Sequence, residues 1–250
     1  MKKYKAPLFF VLKLLPVTLA ATFFMLRYQL ELLSGEMIET LLSQAGSIPV
    51  LMAVGMVQTA VIVSLAGFFG CVLSGKLGLW KEFHFEKDRL PKPLFLSVLC
   101  GVLFSLDYWA FGAVIPGVRE AALSGMTVNG VLASVLYGGI IEEILMRLFF
   151  LSFVAWILRM LFARKQETVP AWIFVTANVA AALLFAAGHL PATAGIFGSL
   201  TPMLVLRCFL LNGGFGIVFG RLYRSYGIHY AMLGHAVCHI VSKLIWLLFA

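Results

Sequence analysis

The sequence predicts an all-α membrane protein, a polytopic bundle of about seven transmembrane helices, and three observations predict it. Of the 250 residues, 62% are hydrophobic and only 12% are charged, too little polar surface to cover a soluble globule of this size. The mean hydropathy is +0.99. The apolar residues come in runs of the roughly 20 residues that a helix needs to cross a bilayer, without the short alternating pattern of a membrane barrel. In lipid every backbone polar group must be paired internally, which leaves helices as the reading. The formal charge of +8 is spread over short loops between spans rather than gathered on one surface. It reports topology and no nucleic-acid partner.

Polar loops divide the chain into spans near 8–33, 48–74, 94–116, 127–162, 170–189, 202–222 and 228–249. The first follows Lys2, Lys3 and Lys5 in the manner of a signal peptide, but Lys13 interrupts the run and no small-x-small cleavage site precedes a soluble domain. It reads as a span that stays in place. Residues 75–93, between the second and third spans, are the one extended polar stretch, and Trp80, Phe83 and Phe85 among its charges mark an interfacial connector. His84 and His229 lie in or beside loops and are expected to be solvated. On the sixth span Gly213, Gly214, Gly216 and Gly220 form a small face for close helix packing. Cys71, Cys100, Cys208 and Cys238 sit in or beside apolar runs with no CxxC spacing and read as buried small hydrophobes. Residues 1–120 thus supply N-terminal spans, and residues 121–250 form the part that carries chemistry.

Lys and Arg set the orientation. The N-terminus, the 75–93 connector and the loops near 159–168 and 221–227 are rich in them; the loops near 34–47, 117–126 and 190–201 hold none or one. The alternation places the N-terminus in the cytoplasm of a multi-pass cell-membrane protein and the C-terminus outside.

Ionisable residues at bilayer depth are costly and mark functional sites by default. On the fourth span Glu142 and Glu143 precede Arg147. Glu143 and Arg147 are one helical turn apart and can pair, whereas Glu142 is turned away by about 100° and is free to face something else. Read alone, the cluster is also compatible with charge-paired packing of the kind seen in transporters. Glu142 lies 24 residues before Gln166, at the tip of the next hairpin, and His189 lies 23 residues after it, so two continuous antiparallel helices bring them to one level. Arg147 and Phe185 match in the same way, each 19 residues from Gln166. On the seventh span His235 and His239 stand one turn apart, as half of a metal site or as hydrogen-bond donors. His189 lies roughly 28 Å from the cytoplasmic end of its span and His235 only about 10 Å from that of its own. The long fourth span reconciles them if its hairpin projects into the cytoplasm, which places the site in the cytoplasmic half of the bilayer.

Three motifs in order resemble those of the CPBP intramembrane proteases, the family of the Rce1-type CAAX prenyl endopeptidases and the bacterial bacteriocin-processing and immunity (Abi) proteins. Glu142, Glu143 and Arg147 match Glu-Glu-x-x-x-Arg; Phe185 and His189 match Phe-x-x-x-His; His235 matches a later His. The family usually has Asn four residues after that His, where this chain has His239. The resemblance covers residues 125–245 and implies an intramembrane endopeptidase acting near the cytoplasmic face on a peptide or membrane-protein substrate, lipidated ones included. It implies Glu142 as general base assisted by His189, Glu143 and Arg147 as a supporting ion pair, and His235 with His239 at the oxyanion. The family is described both as metalloproteases and as metal-independent glutamate-type proteases. Zinc or another divalent metal on His189, His235, His239 and Glu142 is therefore an open expectation. A non-catalytic immunity factor or scaffold is the alternative, and a proton- or metal-coupled transporter a further one.

Overall fold

The computed structural model describes residues 4–250. Among these there are nine helices and no strand. Seven are long and apolar enough to cross a membrane: α1 (Lys5–Leu32), α3 (Ile48–Lys76), α4 (Pro91–Ala110), α6 (Val128–Phe162), α7 (Ala171–Phe197), α8 (Pro202–Tyr226) and α9 (Ile228–Phe249). Two are short connectors, α2 (Gly35–Ala45) and α5 (Val118–Ser124).

Helix starts follow local chemistry. The Ser34, Thr127 and Thr201 hydroxyls accept from the backbone N–H three residues on, satisfying a donor that the first turn leaves free. Pro49, Pro91 and Pro202 occupy first-turn positions, where a missing N–H costs nothing. α8 and α9 are joined by Gly227 alone, whose φ of 107° suits a residue without a Cβ.

The structure departs from the sequence expectations at several places. The loops expected at 34–47 and 117–126 contain α2 and α5, because the capped polar segments between spans are long enough for a few helical turns. The third span stops at Ala110 rather than near 116, and the fifth continues past His189, where it bends, to Phe197. His229 is not solvated. It is 2% exposed, ringed by Phe83, Phe85 and Tyr230, because the 77–90 connector folds back over the start of α9. His84 is exposed, as expected, and all four cysteines are buried. α6 is also not a continuous α-helix: Ala133–Glu142 and Ile144–Leu151 are wound in wider π turns, as is Phe209–Gly213 in α8. Such turns appear most often at functional sites.

α9 is the hub, packed against α4, the first half of α6 and α8. α1 runs along α3, α3 packs on the second half of α6, and α7 joins α6 and α8. Glycines permit the closest approaches. A Cβ on Gly70 would meet the Leu148 backbone at 2.9 Å, one on Gly139 would lie 2.8 Å from Ala236, and one on Gly101 would lie 2.6 Å from Val241. The glycine face of α8 meets α7, with Gly216 against Ala182 and Gly220 against Asn178.

The loops rich in Lys and Arg share one end of the bundle. Phe10 packs on Trp80, Arg159 donates to the Lys76 carbonyl at 2.8 Å, and Lys81 donates to the Ser225 carbonyl. At the other end Glu31 accepts from Thr127 at 2.8 Å and from Asn129. The Ser152 and Tyr223 hydroxyls meet at 2.8 Å, yet α8 ends three residues later at Tyr226 while α6 runs on to Phe162. The α6–α7 hairpin therefore projects past the end of α8 by roughly 10 Å.

A branched side chain at Gly101 forces α4 off α9, so Gly101→Val should destabilise the protein by about 1–3 kcal/mol. Gly195→Ala, in a helical position with nothing within 4 Å of its new methyl group, should raise stability by up to about 1 kcal/mol; thermal unfolding in detergent measures both.

Candidate active site

The site is built where α6, α7 and α9 meet. Glu143, between the two π stretches of α6, and Arg147, within the second, pair at 2.9 Å and are 0% and 1% exposed. The guanidinium lies 4.6 Å over the Phe185 ring and 5.7 Å from that of Phe219, so aromatic faces solvate its charge. Glu143 has a second partner. Its Oε1 accepts from Nδ1 of His235 at 2.8 Å, so the ion pair on α6 also orients the imidazole on α9. Phe219 stacks on that imidazole at 4.7 Å, fixing its plane. This link went unseen in the sequence, where Glu143 counted only as the partner of Arg147.

Glu142 points elsewhere, as the helix geometry predicts, and is 19% exposed. Its Oε1 lies 3.9 Å from Nε2 of His189, and its Oε2 lies 3.9 Å from Nε2 of His235. His189 sits at the bend of α7, between Ala171–Gly188 and Leu190–Phe197. Its Nδ1 meets the Phe185 carbonyl at 2.8 Å. A carbonyl can only accept, so Nδ1 carries the hydrogen and the neutral ring presents a bare Nε2 to Glu142. The same logic holds at His235, whose Nδ1–H faces a carboxylate.

His239 lies one turn further along α9, its Nε2 3.2 Å from that of His235. With Nδ1–H of neutral His235 committed to Glu143, the hydrogen between the two rings comes from His239. Gly138 makes room for both imidazoles, since a Cβ there would lie 3.2 Å from Nε2 of His239 and 3.5 Å from that of His235. One further turn along, buried Lys243 donates to the Gly125 carbonyl at 2.9 Å. Its spacing of four from His239 and eight from His235 was the sequence signal for this neighbour.

The six residues singled out in the sequence thus converge, and the level match of Glu142 with His189 is realised across the hairpin. The chemistry on offer is a partly exposed carboxylate between two imidazoles, above a buried charge pair. Among the described residues no group of three His, Cys, Asp or Glu is set to hold an ion, and Nε2 of His189 and His235 each stand 3.9 Å from Glu142.

A cluster of Glu and His side chains thus lies between helices of a seven-span bundle. Residues 124–241 match the model of the family described as type II CAAX prenyl endopeptidase, Rce1-like. The matched stretch contains every residue of the cluster. No curated protein and no solved structure matches it.

Removing Arg147 leaves a buried, unpaired carboxylate, so Arg147→Met should cost about 3–5 kcal/mol. Adding Glu143→Gln should recover part of that loss; a double-mutant cycle of thermal unfolding in detergent measures the coupling.

Proposed function

We propose that the protein is an intramembrane endopeptidase of glutamate type, hydrolysing a peptide bond of a peptide or membrane-protein substrate, lipidated or not, near the cytoplasmic face of the cell membrane. The observation that carries this reading is the position of Glu142, accessible and 3.9 Å from the Nε2 atoms of both His189 and His235. That gap is too long for a direct hydrogen bond and allows a water to bond to Glu142 and an imidazole at once.

Water bound to Oε1 of Glu142 and Nε2 of His189 gives its proton to Glu142 as its oxygen attacks the substrate carbonyl carbon. The carbonyl oxygen becomes an oxyanion and accepts from Nε2–H of His239, which turns to it from Nε2 of His235. Collapse of the tetrahedral intermediate breaks the C–N bond, and the proton on Glu142 passes to the departing amine. Glu143, paired with Arg147, fixes the His235 tautomer throughout. An imidazole N–H thus takes the donor role that the amide of Asn has in the family motif. The distribution of Lys and Arg supports a cytoplasmic N-terminus and a site near the end of the bundle that bears the projecting hairpin.

Glu142→Gln should abolish cleavage of a reconstituted membrane substrate while insertion and thermal stability are kept; full activity in that variant would remove the base. It also separates the scaffold alternative, since a scaffold tolerates an isosteric loss of charge and keeps its cellular phenotype.

A divalent cation is the second reading, favoured by the 3.2 Å between the Nε2 atoms of His235 and His239. Two ligands on one zinc ion at about 2.0–2.1 Å each would stand at a similar separation. Under the glutamate-type reading the purified protein holds metal well below one ion per chain, and cleavage survives chelation. Stoichiometric zinc that leaves together with activity would replace Glu142 by the ion as the activator of water.

A further inference from the structure

We propose that the seam between α4 and α8 is a lateral gate through which a membrane-embedded polypeptide reaches the His235–His239 pair, with Phe104 and Phe215 as the gate and the Asp107–Arg207 ion pair as its latch. The proposal rests on the endopeptidase reading and adds the route to the site.

α4 and α8 flank the hub helix. Near the basic end both touch it at one place: a Cβ on Gly234 would lie 2.7 Å from Leu222 of α8 and 3.3 Å from the Ser97 hydroxyl of α4. At the level of the site, side chains bridge them. The rings of Phe104 and Phe215 meet at 5.7 Å, and Phe104 stands edge-on to His239, also at 5.7 Å. Phe104 therefore separates the second imidazole of the site from the outer face of the seam. That outer face is apolar and exposed through Leu103, Leu206 and Leu210, as a lipid-facing surface is.

The latch lies about one turn beyond the gate on α4 and about two turns from it on α8. Nε of Arg207 donates to Oδ1 of Asp107 at 2.7 Å, and NH2 of Arg207 donates to Oδ2. Asp107 is buried, and Arg207 also lies 5.8 Å from the Phe197 ring. A bidentate pair within a membrane span is strong and directional, so it fixes the spacing of the two helices it joins. A small apolar cluster of Ile115, Val118 and Leu204 backs it at that end. α8 is also built to give way beside the gate. The π turn Phe209–Gly213 lies between latch and gate, and Gly214, next to Phe215, has nothing within 4 Å of where a Cβ would be. A wide turn that tightens rotates the residues after it, which would swing Phe215 away from Phe104.

The test uses the full-length protein in liposomes, with its four cysteines replaced by alanine. Phe215→Cys should react with a bilayer-partitioned pyrenyl maleimide several-fold faster when Asp107→Asn is added, because the loosened latch lets the seam open; an unchanged rate overturns the latch. This readout needs no catalysis. In the Phe104→Cys, Phe215→Cys protein, a short bis-maleimide bridge should lower cleavage of a membrane-anchored peptide by about tenfold or more relative to the unbridged sample. Cleavage of a short soluble peptide with the same scissile sequence should stay within about twofold. Equal loss of both substrates, or no loss of either, overturns the gate. Absence of cleavage of either substrate by the unmodified protein overturns the endopeptidase reading instead, and the labelling rates still decide whether the seam opens.

Discussion

Much of the candidate site depends on the placement of one carboxylate. Glu143 is buried in a membrane-spanning helix with a single neutralising partner on its own helix, Arg147, and its Oε1 is shared with Nδ1 of His235 on another. The desolvation cost of such a group is offset only when its geometry is well satisfied. Its contacts through Oε1 tie three things together: the rotation of α6, the tautomer of His235, and the position of the aromatic rings of Phe185 and Phe219 that enclose the guanidinium, whose terminal nitrogens, like Oε2 of Glu143, have no hydrogen-bond partner. Glu142 inherits its direction from this arrangement. With its neighbour held inward, it is left to face His189 and His235 at the partly open edge of the site.

The same constraint accounts for the winding of α6. Every helix that delivers a side chain to the site has its own anchor. α7 bends at His189, α9 packs Gly234 on α4 and α8, and α6 must place Gly138 and Gly139 against α9 while keeping Arg147 beneath Phe185. The wide turns on both sides of Glu143 are where that helix departs from regular geometry. The irregularity sits at the residues that carry chemistry, where local rules are most often set aside for function.

Much of this was legible in the sequence, for identifiable reasons. The seven spans follow from hydropathy and length alone, since lipid leaves the backbone no alternative. The approach of Glu142 to His189 follows from counting outward from one hairpin tip. What the sequence hid is contact between helices not joined by a short hairpin: Glu143 with His235, Asp107 with Arg207, and Lys243 with the Gly125 carbonyl. Spacing within one helix says which residues share a face and nothing about what that face meets. His229 shows the reverse error. Its place two residues after Gly227 reads as aqueous, but the aromatic connector folds over it, and Phe83 and Phe85 supply the burial that the local sequence does not announce.

The π winding of α6 has a consequence for how this helix can vary. A π turn is an α-helix that has absorbed an additional residue, so losing one residue from the stretch 133–137 can be accommodated by tightening to the α form, leaving the residues that follow in place. A residue gained or lost between Glu143 and Arg147 falls in the second π stretch, Ile144–Leu151, but no tightening there restores the spacing of four that pairs the two charges. Length changes in this helix should therefore be tolerated unevenly: freely before the small-residue contact with α9, and not at all across the four-residue interval that holds the buried charges together.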